Sequence, residues 1–218
     1  MDNKFWLERW EQNQIGFHEA EVNPYLSRYW STLNLPSGSL VFVPLCGKSV
    51  DMKWLSEHRY NVLGVEFSKI AAQDFFKEND YTVKLSVKLK FTSYETKDIR
   101  ILCGDFFGLN SSDLVGVNAV YDRASIVAFP LNMREAYVQH LVKILPAKSK
   151  IFLITFDYPQ MEMQGPPFAI SEDQVNVLFE KHAEIKLLTK EAVLPQNPRF
   201  KKRGLTRLHE CVYILSLF

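Results

Sequence analysis

The sequence predicts an α/β fold built on a doubly wound, mostly parallel sheet. The first observation is residues 40–49, LVFVPLCGKS, where an apolar run typical of a buried strand ends at Pro44 and passes into a turn at Gly47. The second is the apolar run VLGVE, which ends on Glu66, nineteen positions after Gly47. Strand, glycine turn, helix, and a second strand that ends in an acid form the nucleotide-binding βαβ unit, in which the acid holds the ribose hydroxyls.

The turn at Gly47 lacks two common phosphate-binding motifs. Residues 47–49, GKS, resemble the end of a P-loop, but Phe42 stands where that motif needs another glycine, and the three-glycine dinucleotide fingerprint is missing as well. A single glycine offers one close backbone approach, which suits a nucleoside ligand without phosphate, such as S-adenosylmethionine. The alternative is an α/β domain whose first turn carries a glycine without binding any ligand.

Composition narrows the class of protein and of partner. The 218 residues, 47% of them apolar, suit one packed domain over residues 1–218. A net charge of +1 without a basic run argues against nucleic acid or a lipid surface as partner. Three widely spaced cysteines indicate reduced thiols and no metal site. Because the start is polar and no apolar run is long enough to span a membrane, the cytoplasm is the expected compartment.

The N-terminal segment, residues 1–35, is predicted to contain two helices. The first covers residues 3–14, where Trp6 and Trp10 lie one turn apart, and the second covers residues 22–34. Core packing is the simpler explanation of the two tryptophans. The alternative is a lid whose aromatic rings stack on an adenine or contact a sulfonium.

Helical and strand patterns alternate after the first strand. A helix over Ser49–Glu57 precedes the strand that ends on Glu66, and a helix over Ser68–Asn79, capped by Ser68, follows it. Residues 80–98 are polar and rich in lysine, which predicts a surface connection with room for a short hairpin. The third strand is Ile99–Cys103.

An acid and two aromatic residues follow the third strand. Asp105 could accept a hydrogen bond from the exocyclic amine of an adenine, and an aromatic ring beside it could pack on the face of the adenine. A loop aspartate that forms an Asx-turn beside a buried phenylalanine explains the same residues equally well.

The fourth strand, Val117–Asp122, runs into Arg123 at the edge where an open sheet presents its ligands. Arg123 could pair with Asp122, or it could bind a carboxylate or an electron-rich ring nitrogen.

The remaining elements complete the alternation. They are a helix over Asn132–Leu145, a strand over Lys150–Phe156, a helix over Ser171–His182 with Ser171 as its cap, and an antiparallel pair of strands over Glu184–Val193 and Leu208–Leu217.

Two connections near the end of the chain carry candidate residues. The loop at residues 165–168, GPPF, is stiff, and its Phe168 could form the wall of a pocket or belong to a plain connector. The basic stretch PQNPRFKKRG includes a run of solvated lysines and Arg199, which lies beside Phe200 and could contact a methyl acceptor.

Several segments together resemble the thiopurine S-methyltransferases, including the bacterial ones, a branch of the class I S-adenosylmethionine-dependent methyltransferases. They are PLCGKSVDMKWL, VLGVEFS, LCGDFFGL, YDRASIVAF and GPPF, joined by W-x3-W…GFH near the start and HECVYIL near the end. The resemblance covers nearly the whole chain. It implies a seven-stranded Rossmann-like sheet, an N-terminal helical lid, S-adenosyl-L-methionine as donor, and S-adenosyl-L-homocysteine as product.

The resemblance also implies the activity and the residues that carry it. The activity is S-methylation of aromatic and heterocyclic thiols, and bacterial members are also associated with selenium and tellurium compounds. The donor-binding residues would be Trp6, Trp10 and Phe17 under the lid, Leu45 and Gly47 at the amino-acid end, Glu66 at the ribose, Asp105 and Phe106 at the adenine, and Arg123. Arg123 would also border the acceptor, with Arg199 as the second arginine and Phe168 on the rigid loop.

The expected reaction is an in-line attack of a thiol sulfur on the methyl group of the donor. Because the sulfonium already activates the methyl group, the protein mainly aligns the reactants and excludes water. We therefore expect no essential Ser, Cys or His nucleophile, although Cys46 lies next to the donor turn, and we expect a monomer that acts on a small-molecule thiol. A nicotinamide-dependent oxidoreductase and a non-catalytic nucleoside-binding module are the two other classes that fit the pattern.

Overall fold

A computed structural model describes residues 3–88 and 90–218 as helices that alternate with the strands of a mixed sheet. The predicted α/β class is therefore confirmed. Residues 1 and 2 of the predicted lid and Leu89 of the predicted surface connection lie outside the described residues. The chain divides into two compact units, Met1–Val120 and Tyr121–Phe218, here called the N-terminal unit and the C-terminal unit. The prediction of one domain over residues 1–218 stays a prediction.

The helices and strands follow one another in nearly the predicted order. The described α-helices are α1 (Asn3–Glu11), α2 (Pro24–Tyr29), α3 (Asp51–Glu57), α4 (Lys69–Glu78), α5 (Leu131–Ile144), α6 (Glu172–Phe179) and α7 (Pro198–Lys202). The described strands are β1 (Leu40–Val43), β2 (Asn61–Glu66), β3 (Lys84–Lys88), β4 (Phe91–Glu95), β5 (Ile99–Cys103), β6 (Val117–Arg123), β7 (Lys150–Asp157), β8 (Ala183–Ala192) and β9 (His209–Leu217). None of the described helices has the length and apolar character that a membrane crossing requires.

The first six strands lie in the order β3-β4-β5-β2-β1-β6, and the boundary between the two units falls within β6. β1 pairs in parallel with both β2 and β6, and β2 pairs in parallel with β5. The chain therefore moves outward from β1 to β2 and β5, then returns to place β6 on the other side of β1. Such a reversal of strand order marks the point where open α/β sheets bind ligands at the carboxyl ends of their strands.

The sheet has nine strands, so the predicted number of seven is wrong. The additional strands are β3 and β4, an antiparallel hairpin that joins the sheet through antiparallel pairing of β4 with β5. The hairpin stays attached because Tyr94 is buried and stacks on Phe76, with ring centroids 6.2 Å apart. The outer strand β3 is exposed, with Leu85 at 61% and Val87 at 77%, which explains why this segment looks like a surface connection.

The N-terminal helices are shorter than predicted. α1 ends at Glu11, and the second predicted helix consists of α2 followed by a 3-10 helix over Trp30–Leu33. α2 begins at Pro24 because the side chain of Asn23 accepts hydrogen bonds from the first-turn N–H groups of Tyr25 and Leu26.

In the C-terminal unit, β7, β9 and β8 pair antiparallel in that order. The buried side of α5 includes Tyr137, Leu141 and Ile144, which are apolar or aromatic, but it also includes Arg134. The predicted cap of α6 is confirmed, since the Ser171 hydroxyl accepts a hydrogen bond from the Gln174 N–H at 3.3 Å. The basic stretch after β8 contains the short helix α7 instead of an irregular loop, anchored by the buried side chain of Phe200.

Candidate functional site

The turn after β1 contains two residues in the left-handed region of backbone conformation. Leu45 has a φ of 46° and Gly47 a φ of 53°. Between them, the Cys46 N–H donates a hydrogen bond to the Val65 carbonyl at 3.0 Å, which ties the turn to β2. A leucine in this region costs about 1–2 kcal/mol, and residues strained in this way cluster at functional sites.

Glu66, at the end of β2, closes this turn with its carboxylate. One oxygen accepts a hydrogen bond from the Gly47 N–H at 2.8 Å, and the other accepts one from the Ser68 N–H at 2.7 Å. The side chain is buried, and burial raises the pKa of Glu66, although the backbone hydrogen bonds from Ser68 and Gly47 act in the opposite direction. Because a carboxylate offers about four acceptor positions, capacity remains for a hydroxyl donor.

Aromatic rings from the N-terminal segment lie against the same turn. A Cβ placed on Gly47 would lie 3.3 Å from Cζ2 of Trp10, so the indole packs directly on the glycine. The ring of Phe17 meets Trp10 and Trp6 edge-on, with centroid distances of 5.5 and 5.4 Å. The structure therefore brings Trp6, Trp10 and Phe17 together in one cluster, and Trp10 joins that cluster to the turn at Gly47.

The thiol of Cys46 does not lie in surroundings that would activate it as a nucleophile. Its thiol is buried, and Sγ lies 2.7 Å from the place a Cβ on Gly64 would occupy, so the sulfur packs where β2 has no side chain. Burial, with a smaller effect from the Glu66 carboxylate, raises the pKa of the Cys46 thiol well above its ordinary value. A protonated, buried thiol is a poor nucleophile, which supports the expectation that Cys46 plays no covalent part.

The residues after β5 adopt the Asx-turn that the sequence left open. Oδ1 of Asp105 accepts a hydrogen bond from the Phe107 N–H at 3.0 Å, while Oδ2 has no hydrogen-bond partner among residues 3–88 and 90–218. Phe106 is buried, and Phe107 is the exposed ring of the pair, at 40%. The Gly104 N–H donates to the Glu66 backbone carbonyl at 2.9 Å, which places this loop beside the end of β2.

Phe107 is a candidate that sequence reasoning did not select. Both rings follow the same acid, and only their burial separates them. A ligand can reach the face of an exposed ring more easily than that of a ring packed in the core.

Asp122, near the end of β6, is held by hydrogen bonds from two groups of the C-terminal unit. The Tyr137 hydroxyl donates to its Oδ2 at 2.7 Å, and the Ile126 N–H donates to its Oδ1 at 3.1 Å. Burial raises the pKa of Asp122 to about 6, although its hydrogen bonds with Tyr137, Ile126 and Ser125 act to lower it. The part that Arg123 plays, in pairing or in ligand binding, stays a prediction.

Phe168 lies on a loop that the structure holds firmly, as the sequence predicts. Its N–H donates to the Val127 carbonyl at 2.7 Å, and the Tyr158 hydroxyl donates to the Pro167 carbonyl at 2.6 Å. Gly165 has a φ of 80°, and a Cβ there would lie 2.5 Å from the Phe168 ring. The Phe168 ring is half-buried, so one part of it stays accessible.

Arg199 lies exposed on α7, and its guanidinium carbon is 5.0 Å from the centroid of the Phe200 ring. The structure brings Trp10, Phe17, Leu45, Gly47 and Glu66 to one turn of the N-terminal unit. The predicted acceptor residues, which are Arg123, Phe168 and Arg199, all belong to the C-terminal unit.

Comparison with known proteins identifies close relatives. A family model described as Thiopurine S-methyltransferase matches residues 1–217. A Nitrosospira multiformis protein named thiopurine S-methyltransferase is 54% identical over 99% of this chain and 98% of its own length. A Pseudomonas fluorescens protein of the same name is 45% identical over the full length of both chains.

Solved structures with low sequence identity share the fold. The 1,6-didemethyltoxoflavin-N1-methyltransferase of Burkholderia thailandensis, solved with 1,6-didemethyltoxoflavin and S-adenosylhomocysteine, has a TM-score of 0.66 at 13% identity, covering 98% of this chain and 86% of that chain. A SAM-dependent methyltransferase from Anabaena variabilis has a TM-score of 0.65 at 14% identity, covering 99% and 94%. These likenesses agree with the Rossmann-like class predicted from the sequence.

Proposed function

The chain belongs to the thiopurine S-methyltransferase family, and from this premise we propose that it transfers the methyl group of S-adenosyl-L-methionine to the sulfur of an aromatic or heterocyclic thiol. The other product is S-adenosyl-L-homocysteine. The observation that carries the proposal is the Glu66 carboxylate at the carboxyl end of β2, bound to the N–H groups of Gly47 and Ser68. This is the position at which βαβ nucleotide-binding units hold a ribose.

The groups around the turn fit the chemistry of the donor. Glu66 keeps acceptor capacity for a ribose hydroxyl, and Oδ2 of Asp105 can accept from the exocyclic amine of adenine. The rings of Trp10 and Phe17 present electron-rich faces that attract a sulfonium. Gly47 lets the indole of Trp10 pack directly on the backbone of the turn, since a side chain there would meet the indole at 3.3 Å.

The bound donor supplies a methyl group that its positive sulfur already activates. The chain's own contribution is to bind and orient the two reactants and to exclude water, which can account for a large part of a rate enhancement. The buried Cys46 thiol, with its raised pKa, takes no part in covalent chemistry. An arginine beside the acceptor would favour its thiolate form, and Arg123 and Arg199 are the proposed candidates, with Phe168 as a wall for the ring.

The decisive experiment is a transfer assay with methyl-labelled donor and a panel of aromatic and heterocyclic thiols. We expect label in a thioether product for at least one aromatic thiol and none for the corresponding alcohols. Selenite and tellurite form separate arms, because use of selenium and tellurium compounds is a further proposal. Donor binding without transfer to any thiol would favour the non-catalytic nucleoside-binding module instead.

The partners and the compartment remain proposals. We propose a monomer that acts on a small thiol in the cytoplasm and has no nucleic-acid partner. The net charge of +1 supports the absence of a nucleic-acid partner. Light scattering coupled to size exclusion would check the monomeric state, with a mass near 25.3 kDa as the expected result.

A further inference from the structure

The C-terminal unit contains a cleft of about 540 Å³, a volume that suits a small molecule. It lies beside the first turns of α5 and α6 and the loop that follows β7. The residues that line it include Arg134, Asp157, Tyr158, Phe168, Gln174 and Arg207. All of them lie within one compact unit of the chain.

Arg134 occupies a position on α5 where an apolar residue is expected. It is only 2% exposed, its Nε donates to the Phe129 carbonyl at 3.0 Å, and its guanidinium carbon lies 6.0 Å from the centroid of the Phe168 ring. In the part of the chain that the structure describes, no carboxylate pairs with this guanidinium, and its two terminal nitrogens have no hydrogen-bond partner. A buried cation without a counter-ion is costly, so a ligand anion would stabilise it.

The carboxylate of the cleft is already committed to other cations. Oδ2 of Asp157 accepts from Nζ of Lys190 at 2.7 Å, and Oδ1 lies 3.4 Å from Nη1 of Arg207. These partners hold the pKa of Asp157 below its ordinary value even though burial acts to raise it. Asp157 therefore stays ionised and paired, and the positive charge of Arg134 remains uncompensated.

Two amide acceptors of the cleft are also in use. Oε1 of Gln174 accepts from the Ser171 N–H at 3.2 Å, and Oε1 of Gln160 accepts from the Ala169 N–H at 2.9 Å. The Tyr158 hydroxyl donates to a backbone carbonyl of the Phe168 loop. Apart from the exposed amide of Gln164, the side-chain groups that remain for a ligand are donors, namely the terminal nitrogens of Arg134, Nε2 of Gln174, and the other N–H groups of Arg207.

One wall of the cleft is apolar. It includes the Phe168 ring and Leu131, a side chain that is 68% exposed. A ligand that covered this wall would remove apolar surface from water, which favours binding. A surplus of donors beside an apolar wall favours an anion that carries a hydrophobic body.

We propose that this cleft binds a small organic carboxylate whose carboxylate group lies on Arg134 and Gln174 and whose aromatic body packs against Phe168 and Leu131. This site is additional to methyl transfer, although it shares the Phe168 ring with the proposed wall of the acceptor site. Its occupancy requires neither the donor nor a thiol. Bidentate pairing with a carboxylate is the geometry that a guanidinium with two unpaired terminal nitrogens is built to make.

The test is calorimetric titration of the whole wild-type protein with 3-phenylpropionate and, separately, with its neutral amide. We expect the carboxylate to bind about tenfold or more tightly than the amide, because only the carboxylate can pair with Arg134. Acetate tests the carboxylate group without an aromatic body, and sulfate tests an inorganic anion. Both should bind more weakly than 3-phenylpropionate. Equal binding of acid and amide would overturn the proposal, and so would sulfate binding as tight as that of the aromatic acid.

Two variants locate the site. Gln174→Glu keeps an oxygen that caps the Ser171 N–H but replaces the amide donor by a negative charge, so the carboxylate should bind about tenfold more weakly. Arg134→Gln should weaken binding at least as much. Lys143→Gln, which removes an exposed charge from the same helix α5, is the matched control and should leave the affinity unchanged.

If Arg134→Gln fails to fold, the Gln174→Glu result and the comparison of acid with amide on the wild-type protein still decide the question. Wild-type affinity in a folded Arg134→Gln or in Gln174→Glu would refute the site. Methyl transfer is measured in a different assay with labelled donor, so a failure of this proposal can be told apart from a failure of the proposed function.

Discussion

At the scale of single residues, Glu66 has two tasks that its sequence position alone does not reveal. It is placed to hold a ribose, and it also accepts the buried N–H groups of Gly47 and Ser68. Removing it should therefore damage the turn as well as the ligand contact. The hydrogen bonds from these N–H groups offset part of the cost of burying the acid at the end of β2, where burial raises its pKa.

Glu66→Ala should weaken S-adenosylhomocysteine binding by roughly 1–3 kcal/mol, because the ribose hydrogen bonds are lost and two N–H groups are left without partners. Glu66→Gln retains one carbonyl oxygen and should lose less. Titration calorimetry on both variants, with the free energy of unfolding measured in parallel, checks this order. Unchanged affinity in Glu66→Ala would remove this residue from the donor site.

Asp122 predicts a pH dependence of stability. Its pKa is raised from 3.8 to about 6 in the folded protein, so between these values the folded state binds more protons than the unfolded state, and stability falls as pH rises. The loss is complete above about pH 6 and amounts to about 3 kcal/mol.

Asp122→Asn cannot titrate at this position. Relative to this variant, the wild-type protein should lose about 2.4 kcal/mol of unfolding free energy between pH 4 and pH 7, as measured by urea denaturation. Tyr137→Phe removes a hydrogen bond to the ionised form and should move the transition to higher pH. A difference between wild type and Asp122→Asn that does not vary with pH would contradict the assignment.

At the scale of elements, two turns depend on glycine for reasons that can be separated by experiment. Gly47→Ala forces a side chain into the left-handed region and against Trp10 at 3.3 Å. Gly116 has a φ of 82° with no atom within 4 Å of its would-be Cβ, so Gly116→Ala carries only the backbone cost of about 1–2 kcal/mol.

Both alanine variants should therefore be less stable, but only Gly47→Ala should also lose affinity for S-adenosylhomocysteine. Denaturation and calorimetry measure the two effects separately. If the two variants bound the ligand equally well, the turn after β1 would have no part in donor binding.

The loop that carries Phe168 allows a similar pair of variants. Gly165→Ala places a Cβ 2.5 Å from the Phe168 ring and must displace it, whereas Gly204→Ala, at a φ of 98°, brings a Cβ no closer than 4.0 Å to its nearest neighbour. If Phe168 contacts the acceptor as we propose, Gly165→Ala should raise KM for the thiol and leave donor affinity intact. An equal effect from Gly204→Ala would point to general destabilisation instead.

At the scale of the whole molecule, the donor should stabilise the folded chain against heat. S-adenosylhomocysteine at a hundred times its Kd should add about 2.7 kcal/mol, which corresponds to a rise in Tm of about 5–10 °C for a chain of this length. NADH and NADPH should produce no shift. A shift with a nicotinamide nucleotide and none with S-adenosylhomocysteine would instead support an oxidoreductase.

The sequence by itself determined the α/β class, the order of nearly all elements, and the turn-and-acid pair of Gly47 and Glu66. These depend on local spacing and on the periodicity of apolar residues, and a chain displays both without being folded. The family resemblance relied on the same local segments, and the relatives confirm it.

Only the tertiary structure decided which groups meet across long distances in the chain. The hairpin β3–β4 joins the sheet through a pairing with β5, and Trp10 packs on a glycine 37 positions away. The Tyr137 hydroxyl donates to the carboxylate of Asp122, which lies 15 positions earlier in the chain. Arg134 gives a faint local signal, as a charge on the apolar side of α5, but its missing counter-ion is a fact of packing. Such contacts form between groups that the chain brings together only when it buries its core, so no pattern of neighbouring residues encodes them individually.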